Sequence, residues 1–391
     1  MLYVLLALAV FGLITSSVFA GMVLAAVPGY LRERRQALAR VAERPGFTPA
    51  LTLLKPLHGA EPNLDAHLAT FFEQDYPEYE ILFCARTLED AGLETARRVA
   101  ARYPRIPVKF LATGEPPYIN AKVASMEKME AEAAHAILVI SDSDVRVTPE
   151  YLRAVALPFA DERVGGMTCL YRGVAAEGGL WARLEAVGMS VEMSAGVLVA
   201  RMMEGMQFTL GPTMAFRREA IRRMGGFKVT ADYCADDFVL GNETWKLGQT
   251  VVLSHHAIDH MVINSSFLAS LRHQARWMKS TRFSRPKGHF GTVLTFSLPF
   301  GLLALAAALA MGHAGWGAAL LGWSVATRLA MSVAVGRLVV QDRSWFGLLV
   351  LYPIRDLMGV GFWAASYQSS RILWRGRVFQ LLPGGKMREA K

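Results

Sequence analysis

Two aspartates, Asp142 and Asp144, follow the apolar run in AILVISDSDVR, residues 136–146. The five apolar or small residues at 136–140 read as a strand buried on both faces, as in a parallel α/β sheet. The acids come where such a strand ends, and open α/β sheets bind ligands at that edge. Two apart in an extended segment, they point the same way. Their oxygens suit a hard divalent cation, which in turn can hold a diphosphate. A solvated loop after a strand would use the same residue types, so it is the position that makes them a candidate site.

A second acidic centre lies in DYCADDFVLGNETWK, residues 232–246. Asp236 and Asp237 stand before a helix-like run. The helix dipole accounts for one acid there, and two exceed what capping needs. A carboxylate at this place has the chemistry of a general base for a hydroxyl nucleophile. Three weaker features accompany these centres. Glu89-Asp90 follows another strand, where a helix N-cap and a ligand contact are equally well served. Asn120-Ala121-Lys122 opens a helix whose N–H groups and ammonium suit a phosphate, or simply form an exposed first turn. His255, His256 and His260 are close in sequence but lack clean metal-ligand spacing. Arg146 is placed to balance the two carboxylates that precede it.

The elements that must position these residues alternate regularly. Strands are expected at 50–57, 79–85, 108–112 and 164–170, with helices at 63–74 (Asn63 as its cap), 91–102, 121–134 and from Pro149. Strands alternating with helices imply a doubly wound, largely parallel sheet of the nucleotide-binding type. Residues 175–206 have helical character and carry Met189, Met193, Met202, Met203 and Met206, by default adaptable core and, beside a membrane, a lipid groove. A strand broken at Gly211-Pro212 follows at 207–216, and two more are expected at 251–254 and 258–263.

Composition sets the surroundings. Of 391 residues 53% are hydrophobic, with a formal charge of +9 and a mean hydropathy of +0.27. The basic charge borders apolar segments, which favours a membrane over nucleic acid. Cys84, Cys169 and Cys234 form no Cys-x-x-Cys pair, so neither a zinc site nor a disulfide framework is implied, and a reducing compartment fits. Residues 2–27 are long and apolar enough to span a bilayer. Arg32, Arg34, Arg35 and Arg40 then place the chain beyond this span in the cytoplasm. A cleaved signal peptide would be shorter and begin with basic residues.

The chain therefore divides into an anchor at 1–28, a basic linker at 29–49 punctuated by Pro45-Gly46 and Pro49, and a globular domain at 50–263. Residues 264–288 form a basic amphipathic helix for the membrane surface. Leu268, Leu271, Ala275 and Met278 share one face, and Arg272, Arg276, Lys279 and Arg282 another. A membrane region at 289–370 holds spans at 292–311 and 316–335. A third stretch at 346–367 carries Arg355-Asp356, an ion pair costly within a bilayer. Full crossing by that stretch would leave the basic tail at 371–391 outside, against the charge rule, so incomplete crossing is expected.

Set together, LLKPLHGAEPNL (53–64), FFEQDYPEYEILFC (71–84), INAK (119–122), SDSDVRVTPE (141–150), ADDF (235–238) and Arg276-Trp277 resemble family 2 glycosyltransferases of the GT-A fold. The likeness is greatest to the ceramide glucosyltransferase branch and its bacterial relatives, including hopanoid-associated enzymes. The resemblance implies a GT-A nucleotide-binding domain between an N-terminal transmembrane helix and C-terminal membrane helices, in a multi-pass protein of the bacterial inner membrane. It implies inverting transfer of glucose or N-acetylglucosamine from a UDP-sugar to the hydroxyl of a lipid, ceramide or a hopanoid. Mg²⁺ or Mn²⁺ would be held through Asp142 and Asp144. Asp90 would lie near the uridine, Lys122 and Asp142 in the nucleotide-sugar site, and Asp237 would be the base with Asp236 beside it. Arg276 would steady the diphosphate, and Trp277 would pack near sugar or acceptor. Position 273 is His where the motif has Gln or Arg. A polysaccharide synthase is the nearest rival, disfavoured by the few C-terminal spans and by His273. A non-catalytic nucleotide-sugar or lipid binder would have no need of a base.

Overall fold

Three strands with no exposed residue make the centre of the sheet: β1 (Leu51–Pro56), β2 (Tyr79–Ala85) and β4 (Ile137–Ser141). Side chains alternate between faces with a period of two, so each strand feeds two cores. Leu51, Leu53, Ile81, Phe83 and Val139 pack with α2 (Leu64–Phe72) and α3 (Ala91–Ala100). Leu54, Leu82, Cys84, Leu138 and Ile140 pack with α4 (Ala121–Glu132) on the other side. Helices on both faces cover the strands, which explains why they are largely apolar, with Thr52, Lys55, Glu80 and Ser141 the buried polar exceptions. The computed structural model describes residues 1–43, 46–176, 178–264, 266–374 and 376–390. Pro45 of the expected linker break, and Lys391 of the tail, lie outside them.

The remaining strands of the main sheet are β3 (Val108–Ala112), β5 (Val145–Arg146), β6 (Val164–Ala175), β7 (Thr213–Arg217) and β8 (Thr250–Val262). The order is β3-β2-β1-β4-β7-β6-β8-β5. β1 to β4 are parallel as expected, but β7 runs antiparallel to both β4 and β6. Thr213 pairs with Ser141, so β7 begins at the carboxyl edge. That direction brings the Leu210-Gly211-Pro212 turn beside the Asp142 loop, where Asp142 N donates to Pro212 O at 3.3 Å. The two strands expected at 251–254 and 258–263 are one, β8, with an irregular register opposite Thr168–Leu170.

Between β4 and β6 lies α5 (Tyr151–Ala156). After β6 come α6 (Leu180–Gly188), a π-helical turn at Met189–Met193 and α7 (Ser194–Glu204), together one rod of 25 residues. Met189 and Met206 are buried, whereas Met193, Met202 and Met203 are exposed, so the methionines do not form one core stripe. Then follow α8 (Arg218–Arg223), α9 (Asp236–Lys246) and α10 (Phe267–Ser284).

The N-terminal helix α1 runs unbroken from Leu2 to Glu43, through Pro28. The stretch expected as a linker from residue 29 is thus helical as far as Glu43, because 31–43 is rich in Leu, Arg, Ala and Glu, all good helix formers. Its lower part is anchored to the domain: Tyr30 Oη donates to Ser254 O at 3.1 Å, and Val23 and Val27 enter the main core.

The stretch expected as a membrane region contains α11 (Pro286–Thr292), α12 (Leu298–Ala310), α13 (Ala314–Met331) and α14 (Tyr352–Ala365). Gly317 meets Leu305 and Ala308, and Gly301 meets Ser324, letting α12 and α13 approach closely. Among the described residues four helices are long and apolar enough to cross a membrane: Leu2–Glu43, Leu180–Glu204, Ala314–Val339 and Gly347–Ala365. The expected span at 292–311 is instead a pair bent by 48°, Pro286–Thr295 and Leu298–Ala310. The rod 180–204 qualifies although its sequence reads only as a methionine-bearing helix.

Arg355 and Asp356 do not pair with each other, since neighbours on a helix do not face one another. Arg355 Nη2 reaches Glu192 at 3.1 Å, and Asp356 Oδ1 reaches Arg328 at 3.3 Å. Finally, the expected basic tail is folded. β9 (Arg371–Trp374), β10 (Arg377–Leu381) and β11 (Met387–Glu389) form an antiparallel sheet around Ile372, Phe379, Leu381 and Met387. The alternating apolar residues among its basic ones are what close that small core.

Candidate active site

The carboxyl edge of β1 and β4 gathers the acids. Asn120 caps α4, its Oδ1 accepting from Lys122 N at 3.1 Å, and this turns Lys122 into the sheet edge. Lys122 Nζ lies 2.7 Å from Asp142 Oδ1 and 3.7 Å from Asp236 Oδ2. Burial alone would weaken this ammonium, but Asp142 and Asp236 outweigh it and leave its pKa above the usual value. The expected phosphate ligand is therefore also the cation that joins the two acidic centres.

Asp144 is positioned by strand pairing. β5 pairs with β8, placing Val145 opposite His260, and Met261 N donates to Asp144 O at 2.8 Å. His260 Nε2 then meets Asp144 Oδ2 at 3.0 Å. Burial pushes against ionisation of Asp144, but His260 prevails and holds its carboxyl at about 2. His260 is buried, which favours the neutral ring, yet Asp144 raises its pKa above the ordinary value. Arg146 does not balance these acids. It turns to Asp259, with Nη2 2.8 Å from Oδ2.

Asp237 opens α9 and faces the turn before β7, where Gly211 N donates to its Oδ2 at 2.7 Å. A Cβ at position 211 would stand 3.1 Å from that oxygen, so glycine permits the approach. Burial, then the neighbouring Asp236, pushes the Asp237 carboxyl up to about 6. A carboxylate so tuned can take a proton near neutrality. Asp236 faces the other way, towards Lys122 and Asn120.

α10 closes one side of the site. Trp277 lies tilted against His273, at 4.5 Å between centroids, and 6.3 Å from His260, so Trp277 meets the Asp144 group through His260. Arg276 lies close enough to Cys234 to act on its thiol. The departure at His273 has a structural partner. Its Nδ1 is 2.5 Å from Glu185, a buried carboxylate that also accepts from Asn264 and Ser270. That cluster pins α10 to α6. Asp90 stands apart from the other candidates. It caps α3 through Gly92 N at 2.8 Å and holds the loop after β1 through Gly59 N at 3.0 Å, so both of its oxygens serve backbone amides.

Sequence reasoning passed over Lys55 and did not link His260 to the acids. Lys55 is fully buried in β1, donates to Asp142 O at 2.6 Å and sits 3.7 Å over the Phe71 ring. Burial, against the pull of Asp142, lowers its pKa to about 7. A lysine within a strand otherwise reading as largely apolar was the available signal. His260 was visible only as one of three clustered histidines, because it is the β5–β8 pairing that brings it to Asp144.

Among the described residues no group of three or more His, Cys, Asp or Glu side chains is arranged to hold a metal ion. Asp144 Oδ1 and Glu61 Oε2 are nevertheless buried without a hydrogen-bond partner, and Glu61 interacts electrostatically with Asp142 and Asp144. Unpartnered carboxylate oxygens suit a hard cation, and Mg²⁺ typically takes only one or two carboxylates beside substrate phosphates. The donor set fits such an ion.

The mixed α/β sheet, with an Asp-x-Asp pair, a lysine bridge and Asp237 at its carboxyl edge, has the architecture expected of a glycosyltransferase of the GT-A type. The chain belongs to glycosyl transferase family 21, whose sequence model matches residues 14–387. Its motifs resemble family 2, and the ceramide glucosyltransferase side of that likeness is carried by the relatives. Ceramide glucosyltransferase 1 of Caenorhabditis elegans is 24% identical over 356 residues, 88% of this chain and 74% of that protein. The ceramide glucosyltransferase of Komagataella phaffii is 30% identical over 107 residues, 26% of this chain and 21% of that protein. Among solved structures, a mannosyltransferase from Pyrobaculum calidifontis in complex with GDP-Man and Mn²⁺ is 18% identical with a TM-score of 0.48, covering 88% of this chain and 99% of that one.

Proposed function

We propose that this glycosyltransferase moves a hexose, glucose or N-acetylglucosamine, from a UDP-sugar to the hydroxyl of a membrane lipid with inversion. Ceramide or a hopanoid polyol is the acceptor. The observation that carries the reading is Asp237, raised to about 6 and fixed at Gly211 beside the Lys122–Asp142 pair. The acceptor oxygen attacks the anomeric carbon on the face away from the diphosphate. Its proton passes to Asp237, and the bond from that carbon to the phosphate oxygen breaks to release UDP. Lys122 and Arg276 stabilise the charge that develops on the diphosphate. Asp142 and Asp144 would hold Mg²⁺ or Mn²⁺, which when bound would supply further positive charge to the leaving group. His260 keeps Asp144 ionised for that role.

The lipid acceptor is favoured by the setting of the site. The same α10 that brings Trp277 to His260 leads straight into α11 and the bent helix pair. We place the catalytic domain in the cytoplasm, at the bacterial inner membrane. Residues 371–389 pack on that domain, which supports an even number of crossings between 286 and 370. We take the stretch 347–365 as the segment that enters the membrane without traversing it, although the bent pair Pro286–Thr295 and Leu298–Ala310 satisfies the same count equally well.

The test is UDP release by the purified protein in detergent with Mg²⁺, across two UDP-sugars and three lipids: ceramide, diacylglycerol and a hopanoid polyol. Release that requires one lipid and yields a glycolipid of matching mass supports the reading. Donor binding without release on any lipid would refute it.

A further inference from the structure

The C-terminal sheet lies at the donor edge rather than trailing from the last membrane helix. Met387 N donates to Asp232 O at 2.7 Å, Cys234 N to Gly385 O at 3.3 Å, and Tyr233 bridges to Lys386. Its small core takes in Ile119, from the turn before Asn120, and Phe283 of α10. The sheet therefore touches the segments leading into both Lys122 and Asp236.

Between this sheet and the main one is a cavity of about 120 Å³. Leu57, Arg86 and Tyr118 line it from the carboxyl ends of β1 and β2 and the approach to α4. Trp374, Arg377 and Phe379 line it from β9 and β10. Glu115 ties the two walls together, at 2.5 Å from Arg86 and 3.7 Å from Arg377. The cavity sits where open α/β sheets take nucleotides, beyond the ends of the parallel strands. Its rings and guanidinium groups suit a flat heteroaromatic base.

We propose that the C-terminal sheet forms the outer wall of the nucleotide-base pocket, with Trp374 and Phe379 against the base and Arg377 latching the wall through Glu115. This rests on the reading that the donor is a nucleoside diphosphate sugar. The catalytic domain alone would then hold the diphosphate but grip the base weakly.

The test is equilibrium binding of UDP and of pyrophosphate, each with Mg²⁺, to the full chain in detergent. Trp374→Ala is expected to weaken UDP by about five-fold or more, the range for loss of one base–aromatic contact, and to leave pyrophosphate unchanged. Trp374→Phe should restore most of the affinity. Arg377→Ala alters a side chain that is 55% exposed and so does not threaten the fold. It should also weaken UDP selectively, and it decides the matter should Trp374→Ala fail to fold. Unchanged UDP binding in these variants, or equal loss of UDP and pyrophosphate, overturns this inference and leaves the proposed reaction standing. A wild-type protein that binds pyrophosphate but not UDP removes the donor reading, and this inference with it.

Discussion

Lys122 Nζ lies 2.7 Å from Asp142 Oδ1, so the first helical turn of α4 is clamped to the carboxyl end of β4. The same ammonium reaches Asp236, and through it the α9 turn that carries Asp237. Lys122→Met should therefore lower transfer by about a hundred-fold, the scale for removing one preorganised charge at a reaction centre. It should also weaken UDP binding. Steady-state rates with separate nucleotide titrations check this; a change in acceptor KM alone would count against it.

The acid limb of the pH–rate profile follows from Asp237. Only its ionised form accepts a proton, and the carboxyl is pushed up to about 6 by burial and next by Asp236. Transfer should fall about ten-fold per pH unit below that value and level off above it. Asp236→Asn removes the second cause, so the limb should move to lower pH. A limb that stays in place in that variant would show that Asp236 does not tune the base.

Removing divalent cations with EDTA should abolish transfer, and added Mg²⁺ or Mn²⁺ should restore it. Asp144→Asn should raise the Mg²⁺ concentration needed for half-maximal rate, because the unpartnered buried oxygen of Asp144 is a proposed ligand. Full activity in chelator would dismiss the cation.

Among the C-terminal apolar helices, Asp356 receives Arg328 and also the amides of Ser297 and Leu298, at 2.9 and 2.7 Å. Asp356→Asn leaves the buried Arg328 uncompensated, at a cost of about 3–5 kcal/mol. The melting temperature in detergent should drop clearly. Changing both residues together, Arg328→Met with Asp356→Leu, should recover much of the loss. Equal melting of the single variant and the wild type would deny the pair its structural role.

The sheet's first half was legible because strands buried on both faces leave largely apolar runs, as in LTLLKP and YEILFCA. The Asp-x-Asp pair and Asp236-Asp237 could be placed because each sits at the end or start of such an element. What sequence could not supply was pairing between distant segments. The antiparallel entry of β7, which carries Gly211 to Asp237, depends on tertiary hydrogen bonds. So does the β5–β8 pairing that gives Asp144 its histidine. Arg146 was read from its neighbours in sequence, yet its partner, Asp259, is 113 residues away. The tail's small sheet was hidden by its basic charge.

The most direct measurement is glycolipid formation by Asp237→Asn against the wild type at neutral pH, with UDP binding measured on the same preparations. Asparagine keeps the shape of Asp237 but cannot take the proton. The account predicts transfer lowered by about a hundred-fold or more with UDP binding retained. Transfer at the wild-type rate would contradict it and take the base from Asp237.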